Sequence, residues 1–160
     1  MKAAKLPDLR RALKELPRED LIALCARMAV FKKENKELLT YLLFEAEHEP
    51  SYVASVKEWM VESFAQIQST RYYLIKKSVR KILKQTKTFI RYSKNKETEV
   101  ALLLHFCEQL TQVRPSIRKN KVLRNSLERQ WTLAKNKSEA LHPDIRYDYE
   151  ETISKLAAYL

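Results

Sequence analysis

The chain of 160 residues contains no glycine, a residue that makes up about 7% of average protein composition. Tight β-hairpin turns and the glycine-rich loops that hold nucleotide phosphates both depend on glycine, because it adopts positive φ without steric cost. The sequence therefore argues against a sheet-rich fold or a nucleotide loop of that kind, and it favours an all-α fold. We expect helices to end at asparagines such as Asn95 and Asn136, or by running into proline.

The prolines and the spacing of apolar residues predict about eight helices joined by short connections. We expect a single all-α domain, 1–160, built either as an irregular multi-helix array or bundle or as HEAT-like helical hairpins. The segment from Val100 to Leu110 is apolar nearly all round, as a central helix would be. The predicted helices cover about 7–15, 18–33, 35–48 (separated from the second at Asn35 or continuous with it), 50–68 and 70–92, then one after the turn at 93–96, one from Pro115 to about 139 and one from Pro143.

Apolar spacing also predicts buried stripes on the early helices. One stripe consists of Leu21, Leu24, Cys25 and Met28, and the next helix is expected to bury Leu38, Leu39, Leu42 and Leu43. Both cysteines, Cys25 and Cys107, lie in such apolar stretches and are expected to be reduced and buried.

Positive charge is concentrated between Arg71 and Lys96, where ten Lys or Arg residues occur without a single Asp or Glu. On a helical wheel of about 100° per residue, one arc is basic and the opposite arc carries apolar residues such as Ile75 and Val79, at the spacing of a buried stripe. The basic arc extends over about 27 Å at 1.5 Å per residue, with Tyr73 inside it. Its eight bases, called here the basic ridge, are Lys76, Lys77, Arg80, Lys81, Lys84, Lys87, Arg91 and Lys94.

The excess of positive charge is regional. Residues 1–70 hold 11 basic and 11 acidic side chains, residues 71–137 hold 18 and 4, and residues 138–160 hold 2 and 5. The ridge contains eight like-charged pairs three or four residues apart, and the repulsion sums to about 2 to 4 kcal/mol before screening by salt. Either an anionic partner offsets this repulsion, or the acidic stripe Asp144, Asp148 and Glu151 of the last helix does so within the molecule.

An outward basic ridge predicts a non-enzymatic domain that binds nucleic acid through its phosphates, with weak dependence on sequence and strong dependence on salt. Tyr73 is expected to stack on an exposed base. The alternative is a helical adaptor that docks an acidic protein. An anionic membrane surface is disfavoured because the apolar side of the helix is committed to the core. Four further bases are expected to extend the surface: Arg118, Lys119, Lys121 and Arg124.

Motifs for chemistry are weak. Two residue pairs, Glu45 with His48 and Glu139 with His142, have the Glu-x-x-His spacing of di-iron bundles. Each pair precedes a proline at a predicted helix end, where a histidine more simply interacts with the C-terminal end of the helix dipole. His105 is expected to be a hydrogen-bonded histidine of the core or its boundary. We therefore predict no enzyme activity, cofactor or metal. The absence of a signal sequence or an apolar span favours a soluble, cytoplasmic protein.

The segment from Leu6 to Leu16, followed by Leu21 to Arg27, resembles the two short helices of SAP-type DNA-binding modules. The resemblance covers less than a fifth of the chain and rests on leucine spacing and a few charges. The glycine that this family normally carries in its linker is missing, so we draw no family assignment from it.

Overall fold

The computed structural model describes all 160 residues, and every regular element is helical. This confirms the predicted all-α class with about eight helices. A π-helical turn at Tyr41–Glu45 follows the third helix, and a short 3-10 helix at Ile117–Lys119 precedes the seventh. The eight α-helices are α1 (Leu6–Lys14), α2 (Arg18–Phe31), α3 (Lys33–Thr40), α4 (Glu49–Ala65), α5 (Tyr72–Ser93), α6 (Lys96–Gln112), α7 (Lys121–Ser138) and α8 (Pro143–Ala157).

The chain divides into two compact units, Met1–Phe44 and Glu45–Leu160. That residues 1–160 behave as a single domain stays a prediction. Within the first unit, α2 packs against α3. The two helices are separate, because Lys32 between them is extended, with φ −144° and ψ 145°. The break therefore precedes Asn35, whose side-chain amide donates a hydrogen bond of 2.8 Å to the carbonyl of Met28.

The first unit buries far less than its leucine pattern predicts. None of α1, α2 and α3 has a buried residue, and only Tyr41 is buried before residue 45. Of the stripe predicted for α2, Leu21 is half-buried whereas Leu24, Cys25 and Met28 are exposed. The stripe predicted for the next helix is also wrong, since Leu38 and Leu39 are half-buried and Leu42 and Leu43 are exposed. Periodicity identifies an apolar face, but it does not supply a partner to cover that face.

The second unit is organised around α6, as the apolar segment predicted. This helix packs against α4, α5, α7 and α8, and its residues Leu102, Leu103, Phe106 and Leu110 are fully buried. The ring of Phe106 lies 5.5 Å from that of Phe64 on α4, measured between centroids. One helix surrounded by four others is a bundle-like array and not a stack of hairpins, in which each pair contacts only its neighbours. Each fully buried side chain of this size contributes about 1.5 to 3 kcal/mol.

The connection between α5 and α6 differs from the prediction that Asn95 ends a helix. Lys94 ends α5 in the left-handed conformation, with φ 54°. Asn95 instead begins α6, because its side-chain oxygen accepts hydrogen bonds from the backbone N–H groups of Glu97 (2.8 Å) and Thr98 (3.4 Å). The prediction for Asn136 is also wrong, since α7 continues past it to Ser138.

The seventh helix begins later than predicted. Pro115 lies in an irregular segment, and α7 begins at Lys121, after Asn120 accepts a hydrogen bond from the Leu123 N–H (3.3 Å). The segment is held by burial of Ile117 and by the Tyr72 hydroxyl, which donates to the carbonyl of Ser116 at 2.8 Å. The start of α7 is thus determined by the cap at Asn120, close to the apolar stripe of the helix, and not by Pro115 as predicted.

Candidate nucleic-acid interface

The basic ridge lies on the solvent side of α5. The opposite side of this helix buries Ile75, Val79 and Ile82 as it packs against α4 and α6. Seven of the eight ridge residues are exposed, and Lys76 is half-buried beside the groove described below. The apolar stripe therefore holds the helix in the bundle and orients the amines and guanidiniums outward.

No ridge residue forms an ion pair with a carboxylate within 4 Å. The ion pairs of α8 do not reach the ridge: Glu151 lies 2.6 Å from Lys155 and Glu150 lies 3.7 Å from Arg146 within the helix, and Asp144 Oδ2 lies 3.5 Å from Nδ1 of the preceding His142. The hydrogen bond from Lys155 holds the pKa of Glu151 below its ordinary value. The helix itself packs mainly against α6 and α7. Internal neutralisation of the ridge by α8, one of the two alternatives left by the sequence, is therefore wrong, and the eight like-charged pairs stay uncompensated.

A groove separates α5 from α7, which both pack against α6. Its volume is about 500 Å³. Three ridge residues of α5 line it, together with Arg129 of α7, and no acidic residue does. The ridge thus has two sides. The groove-side bases are Lys76, Arg80 and Lys87, and the outer bases are Lys77, Lys81, Lys84, Arg91 and Lys94.

The other predicted contact residues are distributed differently. Tyr73 is 73% exposed at the start of α5. Arg118 is engaged elsewhere, because its guanidinium donates to the carbonyl of Ala158 at 3.2 Å and lies 5.0 Å from the centroid of the Tyr159 ring. The hydrogen bond between Tyr72 and Ser116 places the 3-10 segment that carries Arg118 and Lys119 beside the first turn of α5. The remaining predicted bases are exposed: Lys119, Lys121 and Arg124.

Arg129 and Gln130 are among the groove residues that were not predicted as site residues. Gln130 is only 6% exposed, and its Oε1 is buried without a hydrogen-bond partner. The sequence did carry a signal for it. Gln130 follows Leu127 by three residues and precedes Ala134 by four, so this amide occupies a position of the buried stripe of α7.

The two Glu-x-x-His motifs stay outside any site. His48 and His142 directly precede α4 and α8 and are exposed. His142 Nδ1 accepts a hydrogen bond from the N–H of Asp144 (3.3 Å), so His142 caps the following helix. The interpretation that these histidines meet a C-terminal dipole is therefore wrong. No group of three or more His, Cys, Asp or Glu side chains lies in metal-binding proximity.

The remaining titratable groups of the core serve structure. His105 Nδ1 lies 3.4 Å from Glu108 Oε2, and this hydrogen bond holds the pKa of Glu108 below its ordinary value of 4.5. Burial raises the pKa of Cys107 to about 12, so its thiol stays protonated near neutral pH. Cys25, in contrast to its prediction, is exposed, and neither cysteine forms a disulfide.

None of the helices combines the length and the apolar character that crossing a bilayer requires. Comparison with family models, with curated proteins and with solved structures finds no significant match to this chain.

Proposed function

We propose that the protein is a non-enzymatic domain that binds nucleic acid through its phosphates, using the basic ridge as the main contact surface. The observation that carries the proposal is the ridge itself, eight bases on one face of α5 with no carboxylate within 4 Å. Exposed like charges that repel one another are a cost to the fold, and a polyanion offsets this cost when it binds.

The length of the ridge suits a phosphate backbone. Its eight basic residues extend over about 27 Å at 1.5 Å per residue, and one DNA strand, with a phosphate about every 3.4 Å of helix axis, presents about eight phosphates over that length. Most of the ridge residues are lysines, which act as compact point charges without the fixed geometry that reading a base requires. Ridge contacts therefore position the partner and carry no sequence information.

The test is a titration of labelled oligonucleotides, followed by fluorescence anisotropy, at salt concentrations from about 50 to about 200 mM. With six or more phosphates contacted, the affinity should fall by about 10³-fold or more over this range. The ridge variant replaces Lys81, Lys84 and Arg91 with Gln. A matched control replaces three exposed bases of the first unit, Lys2, Arg10 and Lys36, with Gln.

The ridge variant should bind more weakly, and its slope of log affinity against log salt should be lower by about 0.9 for each duplex phosphate that it no longer neutralises. The affinity and the salt slope of the control variant should differ little from those of wild type. The proposal is wrong if the protein does not bind at low salt, if the affinity ignores salt, or if both variants bind equally more weakly than wild type.

A second candidate function is a helical adaptor for an acidic protein. The first unit favours it, because Leu9, Ile22, Met28 and Phe31 are exposed, and apolar surface of this kind is typical of protein contacts. A pull-down repeated after nuclease treatment separates the two candidates. A complex bridged by nucleic acid disappears, whereas an acidic protein stays bound and is released by the ridge variant.

A further inference from the structure

The groove between α5 and α7 contains more than phosphate binding requires. Its basic members, Lys76, Arg80, Lys87 and Arg129, supply positive charge. Its wall adds apolar side chains and one buried amide: Val79, Leu83, Val122 and Gln130. Building on the proposed function, we infer that this groove holds one unpaired nucleotide of a strand, so that the protein binds single-stranded nucleic acid in preference to duplex.

Gln130 is the main argument for a ligand that forms hydrogen bonds. More than nine-tenths of this residue is buried, and its amide oxygen Oε1 is buried without a hydrogen-bond partner. Buried polar groups in folded proteins are almost always paired, so an unpaired amide in the wall of a groove indicates a role in binding. A half-turn of the amide exchanges its oxygen and nitrogen. The groove therefore offers a ligand either a donor or an acceptor.

The chemistry of the partner follows from this amide. Phosphate oxygens only accept hydrogen bonds, whereas the edges of nucleobases carry both donors and acceptors, which glutamine recognises. The ring of a base also packs against apolar side chains, and Val122 is 45% exposed beside Leu83 in the groove. The volume of about 500 Å³ falls within the range of about 300 to 1,000 Å³ that is typical of small-ligand sites.

An unpaired base meets these conditions. In a duplex the Watson–Crick edges are paired and the rings are stacked inside the helix, so no ring can enter the groove; the ridge would contact phosphates and the groove would stay empty. A single strand can turn a nucleobase outward into the groove while its phosphate stays in contact with the side chains of Lys76, Arg80 and Lys87. Such splayed nucleobases are common in the recognition of single-stranded RNA. Charge alone predicts the opposite order of affinity, because duplex DNA is the denser polyanion.

The experiment compares one labelled single strand with its own duplex, by anisotropy at low salt. We expect the single strand to bind more tightly. Gln130→Met, a substitution of similar volume, should weaken binding of the single strand by about 5- to 150-fold and leave both duplex binding and the salt slope unchanged. Because the substitution removes an unpaired buried amide, the variant should keep or raise the melting temperature.

Two triple variants with the same change in charge separate the sides of the ridge. Replacing the groove-side bases Lys76, Arg80 and Lys87 with Gln should abolish the preference for single strands. Replacing the outer bases Lys77, Lys81 and Arg91 with Gln should weaken single strand and duplex alike and keep the preference.

Equal or tighter binding of the duplex, together with a silent Gln130→Met, would overturn the inference while phosphate binding by the ridge stands. If neither form of nucleic acid binds, the proposed function is wrong and the inference falls with it.

Discussion

The uncompensated charge of the ridge predicts that reversing one of its charges stabilises the fold. Lys84 lies near the middle of α5, on its solvent side, and has Arg80, Lys81 and Lys87 three or four residues away. No carboxylate lies within 4 Å of any of these four residues. Replacing Lys84 with Glu should therefore turn three repulsive pairs into three attractive ones.

The magnitude follows from the pairs. At about 0.2 to 0.5 kcal/mol each, Lys84→Gln removes about 0.6 to 1.5 kcal/mol of repulsion. Lys84→Glu adds attraction of similar size, for a total gain of about 1.2 to 3 kcal/mol in the free energy of unfolding. Lys, Gln and Glu have nearly equal helix propensities, so propensity does not confound the comparison. The gain should shrink with salt, since the Debye length falls from about 30 Å at 0.01 M to about 3 Å at 1 M.

The assay is urea unfolding followed by far-UV circular dichroism, at about 10 mM and again at about 1 M sodium chloride. Urea is uncharged and leaves the ionic strength under control. At low salt Lys84→Glu should be the most stable of the three proteins, Lys84→Gln intermediate and wild type the least stable. Lys155→Glu is the matched control of opposite sign, because Lys155 pairs with Glu151 at 2.6 Å on α8, and its reversal should destabilise.

The reasoning is refuted if Lys84→Glu is no more stable than wild type at low salt, or if its gain is the same at high salt. In the first case another group already neutralises the ridge. In the second case the effect is not electrostatic. The same variant should bind nucleic acid more weakly, which would make the ridge a site where stability is given up for function.

Two further predictions concern the core. A thiol reagent should label the exposed Cys25 in the native protein. Cys107 should react only on unfolding, because it is buried and its pKa is raised to about 12. Rapid labelling of both cysteines in the native protein would contradict this prediction. Glu108 has its pKa lowered by the hydrogen bond from His105, so its stabilising contribution is complete above its ordinary pKa of 4.5 and is lost as the pH falls through the lowered value. Urea unfolding from about pH 6 to about pH 3 should show a smaller decrease in stability for Glu108→Gln than for wild type.

The sequence predicted the second unit better than the first, for a physical reason. In α6 eight of the eleven residues from Val100 to Leu110 are apolar, and a helix that is apolar nearly all round is buried whichever helices pack against it. In α2 the apolar residues cover one face only, and whether Leu24 and Met28 are buried depends on a partner that periodicity does not identify. Both are exposed.

Helix ends were predicted less well than helices, because several residues compete for each cap. Pro115 precedes α7 by six residues, whereas Asn120 supplies the hydrogen bond to its first turn. Asn95 was expected to end α5, but its side-chain oxygen is better used as an acceptor at the start of α6. A cap depends on which backbone groups are left unpaired, and residue type alone does not show this.

The ridge was predictable because its residues are adjacent along one helix, whose wheel places them together. The groove was not, since it depends on where α7 lies relative to α5. In the sequence, Arg129 is one of several basic residues distributed around the circumference of α7. Only the packing of the helices brings it into the groove that Lys76 and Arg80 also line. Gln130, by contrast, could have been noticed as an amide on an otherwise apolar stripe.

The way α5 is anchored has a consequence for binding. The hydroxyl of Tyr72 is bonded to Ser116 at its first turn, and Lys94 and Asn95 alone join its last turn to the central helix. The backbone that carries the charges is thus already fixed at both ends before any partner arrives. An incoming strand has to immobilise only long side chains, so the entropy decrease on association should be borne mainly by the flexible nucleic acid and not by the protein.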